Sequence, residues 1–142
     1  MRTLKTICAF SSIGLLVIIL SCSEGEPDIE DFITPLVGTW ESYSLVTTNC
    51  SDSANEGTLN CEGTPCYQLT IRDDPDFSFN NYVEGTSMDG ELRVTATTLQ
   101  FCDENNTNCN PEVEYTVNND LLTIVTYWQE QDCDIIVVYN KV

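Results

Sequence analysis

Hydrophobic and polar residues alternate with a period of two over most of the chain beyond Gly38. Tyr67, Leu69 and Ile71 alternate with polar neighbours, and Val113, Tyr115 and Val117 do the same further along. Strands with one buried face show this pattern, because successive side chains point to opposite faces of the sheet. No span has helical periodicity long enough to compete, so the sequence predicts an all-β domain.

Eight strands are predicted, at about 38–48, 66–72, 77–87, 90–96, 98–103, 112–118, 121–129 and 133–141. Turn-forming clusters separate several of them, at 73–76, 88–90 and 118–120. Mostly short connections favour an antiparallel up-and-down meander. Eight such strands can close into a barrel, which removes exposed edges. A β-sandwich is the alternative.

One connection is different from the others. Residues 49–65 form a long predicted loop that contains Cys50 and Cys61. Loops longer than about 12–15 residues are usually functional or disordered. The two cysteines argue against disorder.

The N-terminus has the layout of a secretory signal peptide. Arg2 and Lys5 precede an apolar run over 13–20, which is too short to span a bilayer. The run ends just before Cys22 and resembles the lipobox of bacterial lipoproteins, which implies that the Cys22 thiol is acylated and becomes the new N-terminus. The predicted division is therefore a signal peptide over 1–21, an acidic tether over 22–36 with one possible helical turn over 28–33, and a barrel domain over 37–142.

The residues after Cys22 bear on localisation. Ser23 is not the aspartate associated with retention in the inner membrane, and Glu24 and Glu26 resemble the acidic tags of surface-exposed lipoproteins. We therefore expect a palmitate-type lipid anchor in the outer membrane, on the outer face of the cell. The lipid is the expected membrane contact, and the domain is expected to be monomeric.

Charge excludes several partners. All 23 acidic residues but only three basic ones, Arg72, Arg93 and Lys141, follow Cys22, which gives a formal side-chain charge of −20. Such a field repels nucleic acid and anionic lipid. The simplest interpretation is a solvated acidic surface.

Histidine is missing from the sequence, which removes the commonest general base and transition-metal ligand. Neither a Ser–His nor a Cys–His nucleophile can form, so the sequence predicts a protein that is not an enzyme and has no cofactor or metal. An inward pair of carboxylates about 5–9 Å apart would reopen the possibility of a glycosidase.

Six cysteines lie beyond Cys22, and an even number in an exported domain predicts three disulfides among 15 possible pairings. Strand positions favour Cys102–Cys109 across a hairpin, Cys61–Cys66 around a turn, and Cys50–Cys133 where the first strand ends and the last begins. The last two pairs could exchange partners, as Cys50–Cys61 with Cys66–Cys133.

The segment Gly38-Thr39-Trp40 opens the first strand, and Phe77-Ser78-Phe79 and Leu99-Gln100-Phe101 follow in later strands. Together with the lipobox and acidic tether, these motifs resemble the lipocalin-like lipoproteins of Gram-negative bacteria. The resemblance implies an eight-stranded barrel whose long first loop, 49–65, lies at the open end. It also implies a floor built from Gly38 and Trp40, with Lys141 of the last strand over the indole.

Several residues are candidates for binding. Tyr67 and Trp128 are the proposed lining of a pocket, among a larger supply of aromatic residues. Acidic clusters at 73–76 and 103–108 offer oxygen ligands for calcium, but match no calcium-loop pattern and are better explained as hairpin turns. Arg72 and Arg93 are more readily explained by surface ion pairs than by an anionic ligand. Asp52-Ser53-Ala54 resembles an O-glycosylation sequon.

Two functions remain open. The first is a lipid-anchored module that binds a small apolar or amphipathic molecule or a glycan fragment. The second is a structural or adhesive surface protein with a solid barrel. A continuous internal cavity distinguishes the first from the second.

Overall fold

A computed structural model describes residues 29–142. The signal peptide, Cys22 and the first part of the predicted tether lie outside these residues. The described part begins with a short helix, α1 (Ile29–Ile33), and a 3-10 turn over Thr34–Leu36. Ten strands follow: β1 (Gly38–Ser42), β2 (Ser44–Thr48), β3 (Gly57–Asn60), β4 (Tyr67–Ile71), β5 (Asp76–Asn81), β6 (Thr86–Val94), β7 (Thr98–Asp103), β8 (Val113–Asn118), β9 (Leu121–Trp128) and β10 (Cys133–Lys141).

The strands close into an antiparallel barrel. From β4 to β10 each strand pairs with its successor, and β1 pairs with both β4 and β10. β2 continues the line of β1 along β10, so β1 and β2 form one wall position. The barrel therefore has eight strand positions in an up-and-down order, as the alternation of hydrophobic residues predicts.

A β-bulge divides the first predicted strand into β1 and β2. Glu41 pairs with Asn140 and Leu45 with Val137, so Ser42–Ser44 face only two residues of β10. One extra residue shifts the alternation of faces. Trp40 and Ser42 are buried inside the barrel, but beyond the bulge Leu45 points inward.

The bulge is held by the loop that the Cys61–Cys66 disulfide closes. Cys61 N donates to Tyr43 O at 2.9 Å and Cys66 N donates to Ser42 O at 2.6 Å. Strand β3 precedes this loop and pairs with β2, and strand β4 follows the loop and pairs with β1. The second wall position is therefore β3 and β4, interrupted by a covalently closed loop.

The floor of the barrel is built around Trp40. Its indole is fully buried, and Nε1 donates to Leu36 O at 2.7 Å, which ties the 3-10 turn to β1. Lys141 pairs with Trp40 across the seam, and its Nζ lies 5.0 Å from the ring centroid, within cation–π range. A Cβ at Gly38 would lie 2.6 Å from Lys141 Cε, so only glycine leaves the lysine room to reach the indole. The predicted position of Lys141 over Trp40 is confirmed.

The end of the segment assigned to the tether is part of the folded core. The helical turn expected over 28–33 is present over Ile29–Ile33, and Ile33 and Leu36 are buried against the barrel. Their burial covers the closed end, where Trp40 lies.

Two strand boundaries were predicted wrongly. The predicted third strand ends at 87 and is followed by a turn over 88–90, but Met88, Asp89 and Gly90 lie inside β6. The observed turn is 82–85, where Asn81 Oδ1 accepts from both Val83 N and Glu84 N at 3.1 Å and Gly85 has φ +67°. An Asx side chain at the end of β5 therefore outcompetes the Asp-Gly dipeptide as the turn signal.

The long loop is also more ordered than expected. Residues 49–65 contain a 3-10 turn (Ser53–Asn55) and the strand β3, all four residues of which are exposed. β3 was not predicted, because no buried face gives Gly57–Asn60 an alternating pattern.

The three disulfides are Cys50–Cys133, Cys61–Cys66 and Cys102–Cys109, as the strand positions favour. The first closes a separation of 83 residues and joins the end of the first wall position to the start of β10. The other two close local loops, with sequence separations of five and seven. The exchanged pairing considered for four of the cysteines is not adopted.

Gly90 permits the close approach of β6 to β7 and provides a stability test. A Cβ at this position would lie 1.9 Å from Cys102 O, a backbone atom that cannot move aside cheaply. We expect Gly90→Ala to lower the free energy of unfolding by about 1–3 kcal/mol through overpacking, measured by denaturant unfolding. Gly57→Ala is the matched control, since nothing lies within 4 Å of a Cβ there; equal losses in the two variants would contradict this account.

Candidate ligand cavity

The upper half of the barrel, which is the half farther from Trp40, contains an open cavity of about 470 Å³. Small-molecule sites usually enclose about 300–1,000 Å³. The lower half is filled by Trp40, Leu36 and their neighbours. The barrel is therefore not solid.

The cavity wall is apolar and has two chemically different sides. β5 and β7 contribute the aromatic side, Phe77, Phe79 and Phe101, with Phe77 and Phe101 edge-to-face at 5.0 Å between centroids. The other side is aliphatic and comes mainly from β2, β8, β9 and β10: Leu45, Val113, Ile124, Ile135 and Val137.

Polar lining groups are concentrated at the mouth. The hairpin of β5 and β6 contributes Asn81 at the end of β5, Glu84 in the turn, and Thr86 and Ser87 at the start of β6, and Asn110 lies before β8. Glu84 is exposed and is the one charged side chain among the lining residues. An apolar interior with a polar rim suits an apolar or amphipathic molecule.

Two tyrosines bring hydroxyl groups into the apolar interior. Tyr67 of β4 stacks on Phe79 with ring centroids 5.9 Å apart, and Tyr139 of β10 is only 4% exposed. Strand β1 lies between the strands that carry these two tyrosines. Its residue Ser42 pairs with Tyr67 of β4, and the preceding residue, Glu41, pairs with Asn140, which follows Tyr139 in β10. The small Ser42 side chain lies between the two tyrosine positions, and its Oγ donates to Ser44 O at 2.7 Å.

Burial, and to a smaller extent the neighbouring Tyr67, raises the pKa of Tyr139 well above its usual range. Burial also raises the pKa of Tyr67, and the Glu84 carboxylate adds to that effect. Both phenols therefore remain protonated donors at neutral pH.

Tyr67 and Trp128 were the predicted lining residues, and only Tyr67 lines the cavity. The prediction for Trp128 is wrong: the side chain is 40% exposed and is not part of the lining. The alternation on which that prediction was based is correct, since Ile124 and Thr126 of the same strand do line the cavity. Trp128 is the last residue of β9 and lies beyond the ring of lining residues.

Loop 49–65 lies at the end opposite Trp40, because Thr48 pairs with Asp134 whereas Trp40 pairs with Lys141. It does not close the mouth, and none of its residues lines the cavity. Instead it is fastened to the β9–β10 connection, where Ser51 N donates to Asp132 O at 3.1 Å, and to the start of β10, where Asn49 Nδ2 donates to Asp134 Oδ2 at 2.8 Å. Loop 49–65, which includes β3, therefore extends the barrel wall on one side of the cavity mouth.

No ligand role was predicted for the phenylalanines, and Tyr139 belonged only to the general supply of aromatic residues. The Phe-x-Phe and Leu-x-Phe segments were recognised only as family motifs. Tyr139 belongs to the Val137–Tyr139 alternation of the last strand, so the signal for its inward orientation was present in the sequence. What the sequence could not show is which inward residues meet empty space.

Asp103, a candidate calcium ligand, organises its own loop. Its carboxylate accepts from Thr107 N and Asn108 Nδ2, each at 2.8 Å, and from Asn108 N at 3.3 Å. The bond from Thr107 N, followed by that from the Asn108 side chain, lowers the pKa of Asp103 to about 2. Within residues 29–142, no group of three or more acidic or cysteine side chains is placed to hold a metal ion.

The arginines lie on the outer wall and not in the cavity. Arg72 Nη2 donates to Ser78 Oγ at 3.0 Å, and Arg93 Nη2 donates to Asn106 Oδ1 at 2.6 Å. Their partners are neutral side chains, where ion pairs were expected. Ser53 of the proposed sequon is exposed, and its glycosylation stays a prediction.

The fold and the cavity define a closed antiparallel β-barrel with an open, largely apolar interior. No protein-family model matches the chain, and searches of curated proteins and of solved structures gave no match. In the described part of the chain, no helix is both long and apolar enough to cross a membrane.

The buried phenol of Tyr139 predicts sensitivity to alkaline pH. The unfolded chain binds fewer protons than the folded one above the ordinary tyrosine pKa of 10.0, so the stability of the barrel should fall as the pH rises through that value. We expect spectrophotometric titration of the wild type to show one tyrosine that ionises only as the barrel unfolds. Tyr139→Phe should remove that step and weaken the alkaline loss of stability. A late step that persists in Tyr139→Phe would contradict the assignment.

Proposed function

We propose that this chain is a lipid-anchored outer-membrane lipoprotein whose lipocalin-like barrel binds a small apolar or amphipathic molecule. The observation behind the ligand-binding part is the cavity of about 470 Å³. A barrel of eight strands can be filled by its own side chains, and this one is filled only around Trp40. A solid, purely structural barrel would bury the aromatic and aliphatic sides against each other.

The wall chemistry favours an apolar or amphipathic ligand over a glycan fragment. A sugar has many hydroxyl groups, each of which loses free energy when it is buried without a hydrogen-bond partner. Below the rim, the cavity offers mainly the phenols of Tyr67 and Tyr139 and the hydroxyl of Thr126. Apolar groups on the ligand, by contrast, gain about 25 cal/mol for each Å² that they bury.

The anchor is the second part of the proposal. Its support is the sequence around Cys22, where a short apolar run gives way abruptly to acidic residues. Each acyl methylene buried in the bilayer contributes about 0.8 kcal/mol, so several chains hold the protein firmly. The acidic residues at 24–28 support a position on the outer face. A short segment between Cys22 and α1 then leaves the barrel close to the membrane, where apolar molecules are concentrated.

Filling the cavity should abolish ligand binding. We expect Thr126→Trp to place an indole in the cavity and to reduce binding of the neutral fluorescent probe N-phenyl-1-naphthylamine by at least about tenfold. The assay uses the mature chain without its lipid, measured by fluorescence titration. A native mass spectrum of the mature protein purified from its host should, in parallel, show a retained ligand in the wild type and none in the variant.

Thr123→Trp is the matched control, because it makes the same change on the same strand with the opposite alternation. It should leave probe binding unchanged. If the wild type neither binds the probe nor retains a ligand, the adhesive or structural alternative replaces the binding function.

Removal of the acylated thiol should release the protein. We expect Cys22→Ala to move the chain from the membrane fraction to the soluble fraction and to abolish incorporation of radiolabelled palmitate. Cys8→Ala is the control, since Cys8 lies within the predicted signal peptide and should leave both properties intact. A Cys22→Ala protein that remained with the membrane would place the anchor elsewhere.

A further inference from the structure

The two phenol hydroxyls of the cavity have unused hydrogen bonds. The hydroxyls of Tyr67 and Tyr139 have no hydrogen-bond partner within residues 29–142, whereas the buried Tyr115 Oη donates to Thr95 O at 2.9 Å. Every fully enclosed side-chain polar atom in the described residues does have a partner. The two phenol hydroxyls therefore open onto the cavity, which both side chains line.

An open phenol in an apolar cavity is a specific recognition element. A hydroxyl without a protein partner stabilises a ligand atom that completes its hydrogen bonds, and it penalises a purely apolar ligand that covers it. Tyr67 is fixed by its stack on Phe79 and Tyr139 by near-complete burial. Both hydroxyls thus have defined positions before a ligand enters.

Positive charge is excluded from this interior. The described residues contain three basic side chains, Arg72, Arg93 and Lys141. The first two bond to neutral side chains on the outer wall, and the third lies over Trp40 at the floor. None of the three lines the cavity. A ligand carboxylate placed between the phenols would be a buried charge without a countercharge, which is costly.

A cationic head group fits no better. The one carboxylate among the lining residues, Glu84, is exposed at the mouth, where water screens it. An ammonium group drawn to Glu84 would remain outside and leave the phenols without partners.

We propose that Tyr67 and Tyr139 form the head-group site of the cavity, and that the ligand is an amphipathic molecule with an uncharged hydroxyl or carbonyl group. The proposal rests on the proposed ligand-binding function and specifies its ligand class. The apolar part of the ligand lies between the aromatic and aliphatic sides, and its polar group exchanges hydrogen bonds with the two phenols. Retention of both phenol protons at neutral pH supports this role, since a phenolate could not donate.

The test compares three ligands of equal chain length, decanol, decanoate and decylammonium, at neutral pH. Each displaces N-phenyl-1-naphthylamine from the mature chain. We expect decanol to bind at least about tenfold more tightly than either charged ligand, because only those ligands lose hydration of a charge. Tyr67→Phe and Tyr139→Phe should each weaken decanol binding by about three- to tenfold, as expected for one neutral hydrogen bond.

The variants separate hydrogen bonding from packing. Phenylalanine keeps the ring and removes a hydroxyl that the largely apolar probe would leave without a partner, so Tyr67→Phe and Tyr139→Phe should bind the probe at least as tightly as the wild type while they bind decanol more weakly. Tyr115→Phe removes a buried hydroxyl that does not line the cavity and should leave decanol affinity unchanged.

The outcomes distinguish the two proposals. Probe binding together with decanoate or decylammonium affinity equal to that of decanol would overturn the head-group site and leave the binding function intact. Unchanged decanol affinity in the double variant Tyr67→Phe/Tyr139→Phe would do the same. A wild type that neither binds the probe nor retains a ligand overturns both.

Discussion

Closure of the sheet between its first and last strands is the constraint on which the rest of the structure depends. An open eight-stranded meander would leave two exposed edges and no interior. Here the seam begins where Trp40 pairs with Lys141, and the lysine covers the indole at 5.0 Å. Gly38 makes that contact possible by having no side chain. The same indole holds Leu36 by a hydrogen bond, so closure and the capped floor are one arrangement.

The cavity follows from an irregularity in that seam. If the first strand continued without the bulge at Ser42–Ser44, Ser44 and Val46 would face inward and Leu45 outward. The extra residue reverses the faces, so Leu45 lines the cavity while Val46 is exposed. The disulfide-closed loop stabilises the bulge, because Cys61 and Cys66 donate to the two carbonyls that leave the regular ladder. Cys50–Cys133 then fixes the open end of the same seam.

The charged side chains lie outside the barrel, and the cavity lies inside it. Among residues 29–142, nearly all the carboxylates lie in turns and on the outer wall, and Asp103 accepts hydrogen bonds within its own loop. The interior has aromatic and aliphatic walls with two phenols, so it offers hydrogen bonds without charge. The acidic exterior is therefore solvated, while the cavity presents hydrogen-bonding groups without charge. This separation underlies the proposal of an uncharged amphipathic ligand.

The sequence by itself determined the class of fold, the eight strand positions and the closure, because alternation and strand ends are local patterns that antiparallel pairing brings together. It placed Tyr67 correctly for the same reason. It favoured the observed disulfides but left an exchanged pairing open for four of the cysteines. It failed at the turn after Asn81, at β3 and at Trp128, where the outcome depends on an Asx hydrogen bond, an exposed strand edge and the height of the cavity. Only the tertiary structure decided that the interior is partly empty, since alternation shows which side chains point inward but not whether they meet. The unused hydroxyl of Tyr139 is visible only once that space is known.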